Sequence, residues 1–159
     1  LRKRIFTIGS STWGIEEFLR LLKQYNINNV VDVRSFPSSK FPHFCQKELK
    51  DFLVKNNITY ICLGKELGGF RRSGYEKHMQ TPLFEEGLKR LEQIAQTSNT
   101  AFMCAEKFPW RCHRRFISLA LQAKGWDVVH IIDADRIWQP KNQVKTSIKP
   151  KEHNALKLF

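Results

Sequence analysis

The 159-residue chain has no run of about 18 apolar residues, so its sequence offers no membrane-spanning helix. It also lacks the basic start, apolar stretch and small-residue cleavage site of a secretory signal. Cysteine is scarce: Cys45, Cys62, Cys104 and Cys112 are too few for a disulfide scaffold, and no Cys-x-x-Cys pair occurs. Cys104, Cys112 and His113 supply three metal-type ligands, but no fourth follows at zinc-module spacing, so no metal and no cofactor is expected. There is no internal repeat and no low-complexity segment. Together these absences describe a soluble cytoplasmic protein with reduced thiols and no membrane partner. The oligomeric state is not legible.

Acidic residues are also under-represented, 15 against 27 basic ones, for a formal net charge of +12. A field of that sign attracts polyanions by neutralising phosphates and releasing their counterions. The expected partner is nucleic acid or a phosphorylated small molecule. With 42% hydrophobic residues, 159 residues suffice for one domain with one substantial core.

What is present is an alternation of strand and helix patterns. "RIFTIGS", "NNVVDVRS", "ITYICLG", "TAFMC" and "WDVVHII" read as five strands. Between them, Ile15, Phe18, Leu19, Leu22 and Tyr25 follow helical spacing after Gly14, and a second helix is expected over Gln46–Asn56. Thr81-Pro82 opens a third, since proline suits the first helical position. A fourth is expected from Pro109 to Lys124, closed by Gly125. The expected fold is a single α/β domain over residues 1–138, with a mainly parallel sheet of about five strands and helices on both faces. Residues 139–159 read as a lysine-rich arm or tail.

In such sheets ligands bind beyond the carboxyl ends of the strands, and each suspicious cluster here follows a strand. Gly9-Ser10-Ser11, Asp32-Val33-Arg34-Ser35, Gly68-Gly69-Phe70-Arg71-Arg72 and Cys104-Ala105-Glu106 are all expected at one edge. Asp32 and Glu106 are the candidate acid–base pair, with an Asp32–Arg34 ion pair as the structural alternative. Arg34, Arg71, Arg72, Arg111 and Arg114, with Gly68 and Gly69, are the candidate phosphate-holding group. Trp110, Phe70 and Tyr75 offer stacking surfaces.

The densest stretch is "MCAEKFPWRCHRR", residues 103–115. On a helical wheel, Cys112 shares an apolar face with Phe116, Leu119, Ala120 and Ala123, which marks it as a packing residue. His113 lies at the edge of that face as a neutral donor or acceptor, while Arg111 and Arg115 point outward and Arg114 flanks them. Cys104 precedes the helix start, where a dipole and arginines lower a thiol pKa, so it is the candidate nucleophile. Six residues separate Cys104 from Arg111, one more than the Cys-x5-Arg of a cysteine-phosphatase loop.

"FTIGSS", "EEFLRLLKQYNINNVVDVRSFPSS", "LGKELGG" and "CAEKFPWRCHRRFI" together resemble the uncharacterised family known as domain of unknown function 488, from about Ile5 to Ile132. The resemblance implies an α/β fold and names no reaction. It marks Asp32, Arg34, Gly68, Gly69, Cys104, Glu106, Cys112, His113 and Arg114 as the family's recurrent polar positions. Members commonly carry histidine where this chain has Ser10, which leaves any base function there to another group, such as His43 or His113.

Three functions remain open. The first is binding of nucleic acid or nucleotide at the strand ends, with Asp32, Glu106, His113 or Cys104 carrying hydrolytic chemistry. The others are a non-enzymatic nucleic-acid-binding module and a cysteine-dependent phosphatase or transferase.

Overall fold

The computed structural model describes residues 3–140. Its six strands are β1 (Arg4–Gly9), β2 (Asn29–Asp32), β3 (Thr59–Cys62), β4 (Thr100–Cys104), β5 (Asp127–Ile131) and β6 (Ile137–Trp138). They form one sheet in the order β3-β2-β4-β1-β5-β6. The first five are mutually parallel, and β6 runs antiparallel to β5 at one edge. The α/β domain with a mainly parallel sheet is therefore as expected, with a two-residue sixth strand added. From residue 141 on, the lysine-rich arm lies outside the described residues.

Helices cover both faces: α1 (Ile15–Gln24), α2 (Gln46–Lys55), α3 (Gly64–Leu67), α4 (Tyr75–His78), α5 (Pro82–Thr97) and α6 (Arg114–Ala123). Alternation along the strands assigns the faces. Phe6, Ile8, Val30, Ala101, Met103 and Val129 turn toward Phe18 and Leu22 of α1 and Leu49 and Leu53 of α2. Ile5, Val31, Val33, Phe102, Cys104 and Val128 turn toward Leu88 and Leu91 of α5 and Ile117 and Leu121 of α6. The start of α5 is the one expected from sequence: the Thr81 hydroxyl caps it by accepting from the Phe84 N–H at 3.2 Å, and Pro82 follows.

Two expectations need correction. The loop "KELGGFRRSGY" is not continuous coil, because its first three residues belong to α3 and its last, Tyr75, opens α4. The helix expected from Pro109 is two pieces. Pro109–Arg111 makes a single 3-10 turn, Cys112 is extended (φ −143°, ψ 177°), and α6 starts only at Arg114. That break turns Arg114, Ile117, Ser118 and Leu121 inward and leaves Leu119 57% exposed. Arg114 and Ser118 thus occupy the core stripe that the wheel assigned to Cys112 and Leu119.

Neighbouring strands β2 and β4 send their chains onward to opposite sides, β2 to β3 and β4 to β5. Diverging connections open a crevice at the carboxyl ends of such a pair. The 103–115 stretch descends into it.

Candidate functional site

Beside this crevice Arg114 is fully buried, held between β1, the end of β4 and the loop after it. Its Nε donates to Cys104 Sγ at 3.1 Å, Nη1 to Thr7 Oγ1 at 2.9 Å, and Nη2 to the carbonyls of Glu106 and Lys107. Among the described residues, no carboxylate forms an ion pair with it. An isolated charge is costly to bury, and the anion-forming side chains that its hydrogen bonds reach are the thiols Cys104 and Cys112. Cys104 Sγ lies 3.3 Å from Cys112 Sγ, and the Arg114 backbone N–H donates to Cys112 Sγ at 3.4 Å.

The two thiols share one proton economy. The Cys104 S–H donated to Cys112 pushes the Cys112 pKa down to about 6, helped by the Arg114 charge against the opposing effect of burial. Cys104 moves the other way, held protonated by the same hydrogen bond and by burial. Burial lowers the Arg114 pKa, but the negative charge shared by the Cys104–Cys112 pair and the hydrogen bonds to it raise that pKa overall.

His113 caps the start of α6. Its Nε2–H donates to the Val33 carbonyl at 2.8 Å, across the β2/β4 crevice. Burial lowers its pKa, so the ring is neutral and its Nδ1 remains a bare acceptor. Behind Arg114, the Thr7 hydroxyl donates to His130 Nδ1 at 2.6 Å, and burial followed by the Arg114 charge keeps His130 neutral.

A hollow of about 280 Å³ opens beside Cys112, lined by Gly69, Tyr75, Trp110, Arg111, His113, Arg115 and Phe116 as well as Cys112 itself. Arg111 and Arg115 are exposed, while Cys112 and His113 are half-buried. A larger hollow of about 550 Å³ lies between Trp13–Gln24 and Asp133–Arg136. None of the clustered polar residues lines it, and its charges are of both signs, so the smaller hollow is the candidate site. Among the described residues, no group of three or more His, Cys, Asp or Glu side chains is gathered as a metal set.

The family model for the domain of unknown function DUF488 matches residues 14–121, about two thirds of the chain. The chain belongs to that family. Comparison with curated proteins and with solved structures finds no match. The matched DUF488 residues include the whole 103–115 stretch, whereas Ser10 lies before them.

Within this DUF488 domain the residues selected from sequence fall into separate groups. Cys104, His113, Arg114, Gly69 and the Glu106 backbone meet at the crevice, whereas the Glu106 side chain is exposed. Asp32 is on the opposite face of the sheet, level with Met103. Its carboxylate accepts from Arg34 Nε at 2.9 Å, Arg34 Nη2 at 2.8 Å and the Tyr60 hydroxyl at 2.5 Å, while Arg34 Nη1 donates to the Phe44 carbonyl at 2.7 Å. Burial opposes the Arg34 charge, but the bonds and charge of Asp32 raise its pKa overall. Asp32–Arg34 is thus an internal ion pair, and the structure does not bring Asp32 and Glu106 together.

Arg71 is engaged as well, donating from Nε to the Gly68 carbonyl at 3.0 Å and from Nη2 to the Lys65 carbonyl at 2.6 Å. Arg72 and Arg111 are exposed. Gly68 is required by packing, since a Cβ there would come within 2.3 Å of the Gly64 carbonyl and of Ser35 Oγ. Sequence reasoning missed two groups. Cys112, taken for a packing residue, is the thiol that reaches the hollow, while the candidate nucleophile Cys104 is only 3% exposed. Thr7 gave no signal at all, being one small polar residue inside an apolar strand.

Proposed function

We propose that this DUF488 domain binds a phosphate-bearing ligand, a nucleotide or an end of a nucleic acid, in the hollow beside Cys112, and that the Cys112 thiolate acts on it as a nucleophile. The carrying observation is the arrangement of that sulfur. It faces an open hollow at the start of a ten-residue helix, with a backbone N–H aimed at it and a buried guanidinium behind its partner thiol. Helix N-termini and nearby cations favour thiolate over thiol. The exposed guanidiniums of Arg111 and Arg115 supply positive charge at the same hollow, and +12 overall steers anions toward the molecule. Phe36 and Phe70, 67% and 68% exposed with centroids 5.7 Å apart and rings tilted at 58°, each leave a ring face open on which a base could stack. Attack on phosphorus would form an S–P bond and expel the ester oxygen, which takes a proton from water; neutral His113, with Nδ1 bare, would then accept a proton from the water that cleaves the S–P bond and returns Cys112 as thiolate.

This reading replaces carboxylate chemistry with thiol chemistry, because the Asp32 oxygens are already committed to Arg34 and Tyr60. The test is alkylation of the full chain by iodoacetamide at pH 6.5, mapped by peptide. Cys112 is expected to react first, and inorganic phosphate or a nucleoside monophosphate is expected to protect it. Slow alkylation of Cys112, no faster than that of exposed Cys62, would end the reading; fast alkylation without protection would remove its phosphate-bearing ligand.

A further inference from the structure

Two sulfurs 3.3 Å apart, one half-buried at a hollow and one beneath it, are arranged for more than a single nucleophilic attack. We propose that Cys112 and Cys104 form a reversible dithiol–disulfide couple oxidised by hydroperoxides, with Cys112 attacking and Cys104 resolving. The proposal rests on the reactive thiolate of the preceding reading but not on its phosphate-bearing ligand.

The geometry supplies each part. Cys112 is the member of the pair that lines the hollow, so a small oxidant reaches it first. Cys104, at the end of β4 and 97% enclosed, is shielded from direct oxidation and has Cys112 as its nearest sulfur. Cys112 sits in an extended residue between a 3-10 turn and α6, outside any ladder or helix, so it can give way. A disulfide needs the sulfurs to close by only about 1.2 Å from their present separation. The remaining thiols take no part in this arrangement: Cys62 is exposed on β3, at the far edge of the sheet, and Cys45 donates to the Ser39 carbonyl.

The chemistry balances as follows. The Cys112 thiolate attacks the terminal oxygen of a hydroperoxide. The O–O bond breaks, Cys112 becomes a sulfenic acid, and an alkoxide leaves to take a proton from water. Cys104 then gives up its proton and attacks Cys112 Sγ. The S–S bond forms, and the hydroxyl leaves with that proton as water. The pair has lost two electrons and the peroxide has gained them. Two equivalents of a low-molecular-weight thiol return the couple to the dithiol by exchange, through a mixed disulfide at the accessible Cys112.

Arg114 controls the direction in which this couple leans. Its counter-charge is the shared thiolate, and oxidation removes that charge while leaving the guanidinium fully buried. A stabilised reduced form makes a dithiol pair more oxidising. The couple therefore reduces readily and suits a reversible cycle more than a permanent crosslink.

The experiment is titration of the reduced full chain with tert-butyl hydroperoxide at pH 7, read by peptide mapping without reductant and by denatured thiol count. The four thiols are expected to fall to two, with Cys104 joined to Cys112 and with Cys62 oxidised at least tenfold more slowly. Cys104→Ala is expected to stop at a Cys112 sulfenic acid that dimedone traps, and Cys45→Ser/Cys62→Ser to behave like the parent. Should Cys104→Ala fail to fold, the crosslinked peptide of the parent still decides. Oxidation of Cys112 no faster than Cys62, or its direct passage to sulfinic acid with Cys104 free, overturns the proposal. Disulfide formation without phosphate protection of Cys112 would leave this couple standing and the phosphate-bearing ligand refuted.

Discussion

Replacing Arg114 by glutamine tests the electrostatic heart of the site. Glutamine removes the positive charge beside Cys104 while keeping a side-chain amide that can donate toward Thr7 or the Glu106 carbonyl. The Cys104 S–H and the Arg114 main-chain N–H remain as donors to Cys112, so the upper limit of the effect is return to an ordinary thiol. At pH 5.5 a thiol with a pKa of about 6 is roughly one quarter thiolate, and one near 8.5 is roughly 0.1% thiolate. The more basic sulfur is intrinsically more nucleophilic, by about 13-fold at a Brønsted slope near 0.45, which leaves a net loss of up to about 20-fold. The assay is reaction of Cys112 with an aromatic disulfide reagent across pH 5 to 9. The rate midpoint is expected to move from about 6 toward 8.5. Arg114→Lys keeps a charge but not the fork, so it should retain most of the low midpoint while losing stability as the Thr7 and carbonyl acceptors go unsatisfied. A folded Arg114→Gln protein with an unmoved midpoint would refute Arg114 as the counter-ion.

Asp32→Asn strands the buried Arg34 charge and should cost about 3–5 kcal/mol in urea unfolding, with Cys112 reactivity unchanged in whatever fraction stays folded; a stable protein with a dead thiol would restore a chemical role to Asp32. Gly69→Ala places a Cβ 2.6 Å from His113 Nδ1, and the ring is held by Val33, so about 1–3 kcal/mol of destabilisation is expected, against little change if the ring can retreat. Stability should follow pH in two steps. His113, His130 and His78 all have lowered pKa values, so stability is lost as pH falls below about 6.5, where the unfolded state takes up protons first. The lowered Cys112 pKa adds stability as pH rises from about 6 toward 8.5, and the raised Cys104 pKa takes it away above that, which a series of urea melts will show or exclude. Oxidised protein should melt below reduced protein despite its new crosslink; a higher Tm would mean that Arg114 does not depend on the thiolate.

The periodic helices and the parallel strands were legible because each is written locally. Phe18 and Leu22 repeat at helical spacing, and Thr81-Pro82 announces its own helix. The convergence of four clusters at one sheet edge was legible too, since it follows from topology alone. What could not be read was parity and phase. Asp32 and Cys104 both close strands, but register sets Asp32 level with Met103, so their side chains leave opposite faces. A one-residue difference in register decides whether two strand-end side chains share a face or leave opposite ones. At α6 a helical count beginning at Pro109 runs out of phase, because the extended Cys112 breaks it before the helix proper begins.

The deeper obstacle is that no hydrophobic scale turns an arginine inward. Arg114 is buried because its partners arrive from β1, from the end of β4 and from the loop after it, and each bond is invisible until the sheet is assembled. The same holds for Arg34, whose charge is consumed by Asp32. Both arginines have the sequence setting of phosphate ligands, and both are internal. The exposed charge at the hollow is that of Arg111 and Arg115, and the Cys112-His113-Arg114 run takes on a different sense. Its arginine is bonded to the Cys104 sulfur, its histidine ties the start of α6 to Val33, and its cysteine is the thiol that lines the hollow, which is why the proposed chemistry is placed there.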